Sequence, residues 1–298
     1  SAFNLVNLRS SQYEPIMITK CKVVATLGPA TSDRDVMRQM IHAGVNVFRI
    51  NFSHASHEVA KENVDRIHSL NEELGTNVAV LADLQGPKLR VGVVAEGTVV
   101  NPGDELIMTT NECEGDATRV FMTYQKFPQD VKPGERILLD DGKLVFETVE
   151  TNGKDEVKVK VIQGGPLKSK KGVNLPNTKI SLPCLTEKDM EDLHYALDLD
   201  VEWVAISFVR QAEDVMELQN IIAERQSNAK VISKIEKPGA VADITRIIKE
   251  TDALMVARGD LGVEIPMQGV PLIQKMITQK ARAHSKPVII ATQMMESM

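Results

Sequence analysis

Residues 229–236, Ala229-Lys230-Val231-Ile232-Ser233-Lys234-Ile235-Glu236, and 252–264, Asp252-Ala253-Leu254-Met255-Val256-Ala257-Arg258-Gly259-Asp260-Leu261-Gly262-Val263-Glu264, carry the reading of the fold. Both contain an apolar run that stops at charge. Strands buried on both faces look like this, and such strands belong to parallel sheets. The run ends also carry chemistry. Glu236 and Asp260, on adjacent strand ends, can hold one Mg²⁺, which prefers oxygen ligands and leaves positions open for substrate oxygens. Lys234 beside them supplies a fixed positive charge. That set suits a phosphorylated or enolate-forming substrate.

The same unit recurs outward from this stretch. Apolar runs at 22–27, 45–52, 78–84, 202–209, 230–235, 253–256 and 287–292 are followed or separated by helical patterns near 32–43, 56–74, 187–199, 211–225, 239–250 and 270–285. Ser32-x-x-Asp35 and Thr186-x-x-Asp189 resemble capping boxes. Alternating strands and helices imply a parallel sheet. Seven strands without a glycine-rich nucleotide fingerprint favour an α/β (β/α)8 barrel over a doubly wound sheet. The barrel is expected to be incomplete, since an eighth unit does not precede Met298.

Between the third and fourth runs lie roughly a hundred residues that break the rhythm, far more than a normal βα loop. Here short alternating runs, such as 157–161, are separated by Asn101-Pro102-Gly103-Asp104, Lys132-Pro133-Gly134-Glu135, Asp141-Gly142 and Gly164-Gly165. This predicts a small antiparallel β-barrel lid inserted in the larger barrel. The expected organisation is an N-terminal segment at 1–19, barrel parts at 20–87 and 186–298, and the lid at 88–185.

Composition narrows the function. The chain has 298 residues, 43% hydrophobic and 26% charged, with a net charge of −6, so bulk binding of nucleic acid or anionic membrane is not expected. No apolar stretch approaches the roughly 18 residues of a spanning helix, and residues 1–16 lack a signal-peptide core. Cys21, Cys113 and Cys184 are far apart and odd in number, which reads as cytosolic thiols rather than a disulfide frame or zinc site. No Walker A loop, Gly-x-Gly-x-x-Gly, His-Glu-x-x-His or Cys-x-x-Cys occurs. A bound nucleotide must then be held by lysines, arginines and metal.

In a barrel of this type functional groups gather at the C-terminal strand ends. Strand two ends Arg49-Ile50-Asn51-Phe52-Ser53-His54, strand three Asp83-Leu84-Gln85-Gly86-Pro87-Lys88-Leu89-Arg90, and strand seven Thr292-Gln293. With Lys234, Glu236, Arg258 and Asp260 they make a mouth for an anionic substrate and a divalent metal. Each residue also has a plain structural reading. Arg49 could be a rim ion pair, His54 a loop histidine, Gly259 and Gly262 turn residues, and Asp83 a helix cap. Lys168, Lys170 and Lys171 could be a solvated loop. Their joint placement on consecutive strand ends favours the functional reading.

The ordered motifs resemble the pyruvate kinase family. They are Thr26-Leu27-Gly28-Pro29, Arg49 to His54, Gly86-Pro87-Lys88-Leu89-Arg90, Lys171-Gly172-Val173-Asn174-Leu175-Pro176, Ser233 to Glu236, Met255 to Glu264, and Ala291-Thr292-Gln293-Met294. The resemblance covers about residue 20 to Met298. It implies a cytoplasmic glycolytic enzyme, transfer of a phosphoryl group from phosphoenolpyruvate to ADP, and pyruvate and ATP as products. A C-terminal domain and a homotetramer are usual in the full-length protein. Lys234, Arg49 and Thr292 would be catalytic. Arg49, Lys234, Gly259, Asp260 and Thr292 would hold substrate, and Asn51, His54, Arg90 and Lys171 the nucleotide. Glu236 and Asp260 would hold Mg²⁺ or Mn²⁺.

Many members of the family need K⁺, which the resemblance places at Asn51, Ser53, Asp83 and the Leu84 carbonyl. Those members carry an acid where this chain has Lys88. An ammonium there, paired with Asp83, would replace the ion, so activity without K⁺ is expected. Two alternatives remain at this level. One is a catalytically incomplete fragment that binds phosphoenolpyruvate or nucleotide. The other is a different Mg²⁺-dependent barrel enzyme acting on phosphoenolpyruvate or a keto acid.

Overall fold

The computed structural model describes residues 21–291. Seven parallel strands form one sheet in chain order: β1 (Val23–Thr26), β2 (Val45–Asn51), β3 (Ala79–Asp83), β4 (Trp203–Ile206), β5 (Lys230–Ile235), β6 (Ala253–Ala257) and β7 (Val288–Ala291). Every neighbour is parallel, so all seven C-terminal ends lie on one rim. One face packs on helices through Phe48, Ile50, Ile67, Leu218, Ile235 and Ile277. The other is closed by strand side chains alone: Leu81, Ala205, Ile232, Ala253 and Met255 are buried there against Val24, Val47, Trp203 and Ile289. A sheet face that buries itself without a covering layer must curl. Burial on both faces is also why these strands read as unbroken apolar runs.

Helix Glu187–Asp198 shows how the loops are pinned to this frame. Thr186 and Asp189 form the expected capping box. Asp189, fully buried, also accepts the Gly86 N–H at 2.9 Å, across 103 residues of sequence. Replacing Asp189 with alanine removes its half of the capping box and orphans the buried Gly86 amide. The expected loss is about 2–4 kcal/mol of unfolding free energy, read from urea denaturation; a loss under about 1 kcal/mol would make the contact redundant. The other expected capping box is displaced by one residue. Asp33 caps Arg34–His42 by accepting from Asp35 N and Val36 N, while Ser32 Oγ donates to Gly28 O.

The insert between β3 and β4 has its own core, from Leu89 to Leu175. Its main sheet runs Val173–Asn174, Arg136–Leu139, Leu144–Thr151, Glu156–Gln163, Glu105–Thr109 and Arg119–Phe121. The expected turns serve it. Asp140, Asp141 and Gly142 all have positive φ (51°, 57° and 81°), which suits the tight hairpin between Arg136–Leu139 and Leu144–Thr151. One expectation needs correcting: the sheet is mixed, because Glu105–Thr109 and Arg119–Phe121 pair parallel. The chain between them turns back at Asp116, whose carboxylate accepts from Thr118 N and Arg119 N, and re-enters in the same direction. Alternation of apolar residues is identical in parallel and antiparallel strands, so the sequence pattern does not distinguish them.

Candidate active site

Asp83, at the end of β3, organises the rim. Its side chain is 1% exposed and faces two cations, Arg49 from the adjacent β2 and Lys234 from β5, two strands away. Arg49 Nε and Nη2 both reach Asp83 Oδ2 at 2.6 Å, and Arg49 Nη1 donates to Thr26 Oγ1 at 3.0 Å. Lys234 Nζ lies 3.2 Å from Asp83 Oδ1 and 3.1 Å from Glu236 Oε1. Lys234 also donates to Ser207 Oγ at 2.7 Å, and the Ser207 hydroxyl donates in turn to the Leu84 carbonyl at 2.7 Å. Burial works against the Lys234 charge, but Glu236 and Asp83 outweigh it and move the ammonium well above its ordinary range. Its three partners hold the ammonium in place.

Glu236 is as buried as Asp83, and its Oε2 accepts the Phe208 N–H at 2.8 Å. Phe208 has φ of 56°, a left-handed conformation that is uncommon for an aromatic residue. In that conformation its amide points at the carboxylate. Burial pushes the Glu236 carboxyl up; Lys234 counters this, and the nearby charge of Asp260 adds to the rise. Gly259 and Asp260 lie in the first turn of helix Arg258–Glu264, directly after β6. No three His, Cys, Asp or Glu side chains among the described residues form a closed metal cage. Mg²⁺ needs none, since it takes one or two carboxylates and keeps waters and substrate oxygens. Glu236 and Asp260 fit that demand: both are hard oxygen donors, and a divalent cation would relieve their mutual repulsion.

The other expected residues divide into two groups. Asn51 stands opposite Asp83 in the β2–β3 register, and its side-chain oxygen accepts the Ser53 N–H at 3.1 Å. His54 is exposed on the loop that follows. Arg90 and Lys171 lie on the paired chains where the insert joins the barrel: Arg90 Nη1 donates to Lys170 O at 2.8 Å, and Lys171 Nζ sits 2.9 Å from Asp140. That ammonium holds the Asp140 carboxyl below its usual range. A cleft between insert and rim is lined by Lys88, Asp141, Asn174, Phe208, Lys237 and Asp260. Lys88 departs from expectation. It is exposed and does not pair with Asp83, whose ion pairs go to Arg49 and Lys234. The two nearer cations have already neutralised that carboxylate. Thr292 lies outside the described residues.

Sequence reasoning missed the end of β4. Ser207 and Phe208 carry no charge, so they were passed over, although the strand-end rule applied to them equally. Lys237 and Glu264, ion-paired at 2.5 Å beside the cleft, were also missed.

The family model described as "Pyruvate kinase, barrel domain" matches residues 18–298. Proteins named pyruvate kinase from Corynebacterium efficiens and Mycobacterium tuberculosis are each 44% identical over 283 residues, covering 95% of this chain and 60% of their own length. One from Staphylococcus aureus is 42% identical over 281 residues, covering 94% of this chain and 48% of its own. The chain thus spans about half to three-fifths of the length of these relatives.

Proposed function

The chain belongs to the pyruvate kinase family, and on that premise we propose that its rim transfers the phosphoryl group of phosphoenolpyruvate to ADP, giving pyruvate and ATP. The observation that carries this is the Lys234 ammonium, fixed between Glu236 and Asp83 and flanked by Arg49. In this reading the curled sheet is the wall of a (β/α)8 barrel and the insert is its lid. The family also carries a homotetramer and a cytoplasmic setting for the full-length protein.

Asp83 orients the Arg49 guanidinium along one edge, leaving donors of the same fork for a phosphate. As the bond between phosphorus and the enol oxygen breaks, a β-phosphate oxygen of ADP takes the phosphoryl group. Negative charge is left on the enolate oxygen, where Lys234 is already in place to stabilise it. Gly259 and Asp260 amides would receive the substrate carboxylate. A proton delivered through water near Thr292 to the enolate carbon completes pyruvate. Glu236 and Asp260 would hold Mg²⁺ or Mn²⁺, which would supply positive charge to offset that of the substrate. Asn51, His54, Arg90 and Lys171 would hold the nucleotide, with closure of the lid bringing the last two inward.

The test is ADP-dependent pyruvate formation with Mg²⁺ in buffer free of K⁺ and Na⁺. Turnover supports the reading. None, even with K⁺ added, would favour a binding fragment; pyruvate released without ADP would favour a different phosphoenolpyruvate enzyme.

We also propose that turnover is independent of K⁺. Asp83 is already flanked by two cations, and the Leu84 carbonyl already accepts from Ser207. Lys88 adds an ammonium to the cleft lining rather than to Asp83. Turnover is therefore expected to change little when K⁺ is added, and Lys88→Glu, which turns the cleft ammonium into a carboxylate and leaves the cleft short of positive charge, should create a K⁺ requirement. Strong K⁺ activation that is the same in both proteins would overturn this.

A further inference from the structure

Glu264 has no part in the chemistry above, yet its side chain is 1% exposed. It ends helix Arg258–Glu264 one turn after Asp260, on the same helix face. Its Oε1 accepts from two sides: Lys237 Nζ at 2.5 Å and Asn174 Nδ2 at 2.7 Å. Its Oε2 is buried without a hydrogen-bond partner. Lys237 directly follows Glu236, and its ammonium lies 5.6 Å from the centre of the Phe208 ring. Asn174 belongs to the insert, on the strand Val173–Asn174 that pairs with Arg136–Leu139, and follows Lys171 by three positions. Glu264 is therefore the meeting point of the lid, the strand end that carries Glu236 and the helix that carries Asp260.

Stability does not account for a charge here. Apolar packing would join insert and barrel without desolvating a carboxylate or leaving one oxygen idle, and buried ion pairs seldom outperform it. What a carboxylate oxygen shared by an ammonium and an amide does provide is direction. We propose that Glu264 is a positioning residue: through Asn174 it latches the lid to the barrel, and through Lys237 it ties that latch to the strand carrying Glu236. Its consequence for catalysis rests on the phosphoryl-transfer reading; its geometry does not. In that reading the latch sets how far Lys171, which holds the nucleotide, stands from the metal carboxylates.

The test uses Asn174→Ala, which removes only the lid-side amide, and Glu264→Gln, which keeps the shape and loses the charge. Lys179 is exposed in the returning linker, so trypsin cleavage after it reports lid opening. In Asn174→Ala, cleavage there should be about fivefold faster, and the ADP KM about fivefold higher, as befits one lost hydrogen bond. The phosphoenolpyruvate KM should stay at its wild-type value, and the Tm should fall by no more than about 2–4 °C. Glu264→Gln should move the same two quantities in the same direction. Wild-type cleavage rates in Asn174→Ala would overturn the latch, whether or not Glu264→Gln folds. If the wild-type protein forms no pyruvate, the phosphoryl-transfer reading fails, and the cleavage rate still decides the latch.

Discussion

Replacing Lys234 with methionine lowers kcat for pyruvate formation by about 10³-fold, equivalent to about 4 kcal/mol of barrier. The expectation follows from how the cation is held. Its three partners, Asp83, Glu236 and Ser207, lie within 3.2 Å, so the charge need not move when electrons arrive on the enolate oxygen. A preorganised charge in a site shielded from water stabilises developing charge far more than a mobile one. Methionine keeps the bulk of the side chain but leaves two buried carboxylates short of a partner. Breaking a buried pair costs about 3–5 kcal/mol when a charge is left uncompensated. Here Asp83 keeps Arg49 and Glu236 keeps the Phe208 amide, so the loss should fall at or below the lower end of that range. Calorimetry separates this effect from the kinetic one. Lys234→Arg should recover more stability than kcat, because it restores charge without restoring its position. If Lys234→Met kept more than about a tenth of wild-type kcat, the lysine would have no place in the chemistry.

The parallel sheet was legible because its residues are buried on both faces. Expected runs 230–235 and 253–256 correspond to Lys230–Ile235 and Ala253–Ala257, and the charges at their ends mark the rim. What could not be read was which partner each charge chooses. Asp83 is expected from the sequence to pair with Lys88, yet Arg49 and Lys234 take it. The register of β3, β4 and β5 brings Lys234 within reach from two strands away. Ser207 escaped notice for the same reason, since its role arises from neighbours 27 and 123 residues distant in sequence. The left-handed turn at Phe208 has no compositional sign at all, because an aromatic residue gives no hint of positive φ. Lys171 could be assigned through the family motif, but its pairing with Asp140 depends on the fold of the insert.

Gly86→Ala should be the most damaging single methyl in the described residues that bear on the site. Gly86 has φ of +71°, where an L side chain costs about 1–2 kcal/mol. A Cβ there would also stand 2.8 Å from Phe208 Cδ2, 2.9 Å from Ser207 Cβ and 3.3 Å from Ser207 O. Overpacking of that kind costs about 1–3 kcal/mol, so the combined loss is about 2–5 kcal/mol. The neighbours that would have to yield are the ones that hold the site: Ser207 fixes Lys234, and Phe208 fixes Glu236. Retreat of the loop is opposed by the Gly86 N–H, which is committed to the buried Asp189. The displacement should therefore reach the reacting atoms. A misplacement of about 1 Å can cost about 10²-fold, so kcat should fall by that order even well below the Tm. Gly134→Ala is the matched control. Gly134 has φ of +84° in an insert turn, with nothing within 4 Å of the added Cβ, so it isolates the backbone cost. It should lose about 1–2 kcal/mol of stability and keep its kcat. If Gly86→Ala were no worse than Gly134→Ala in either measurement, the close packing of the strand-three loop on Ser207 and Phe208 would not be what positions Lys234 and Glu236.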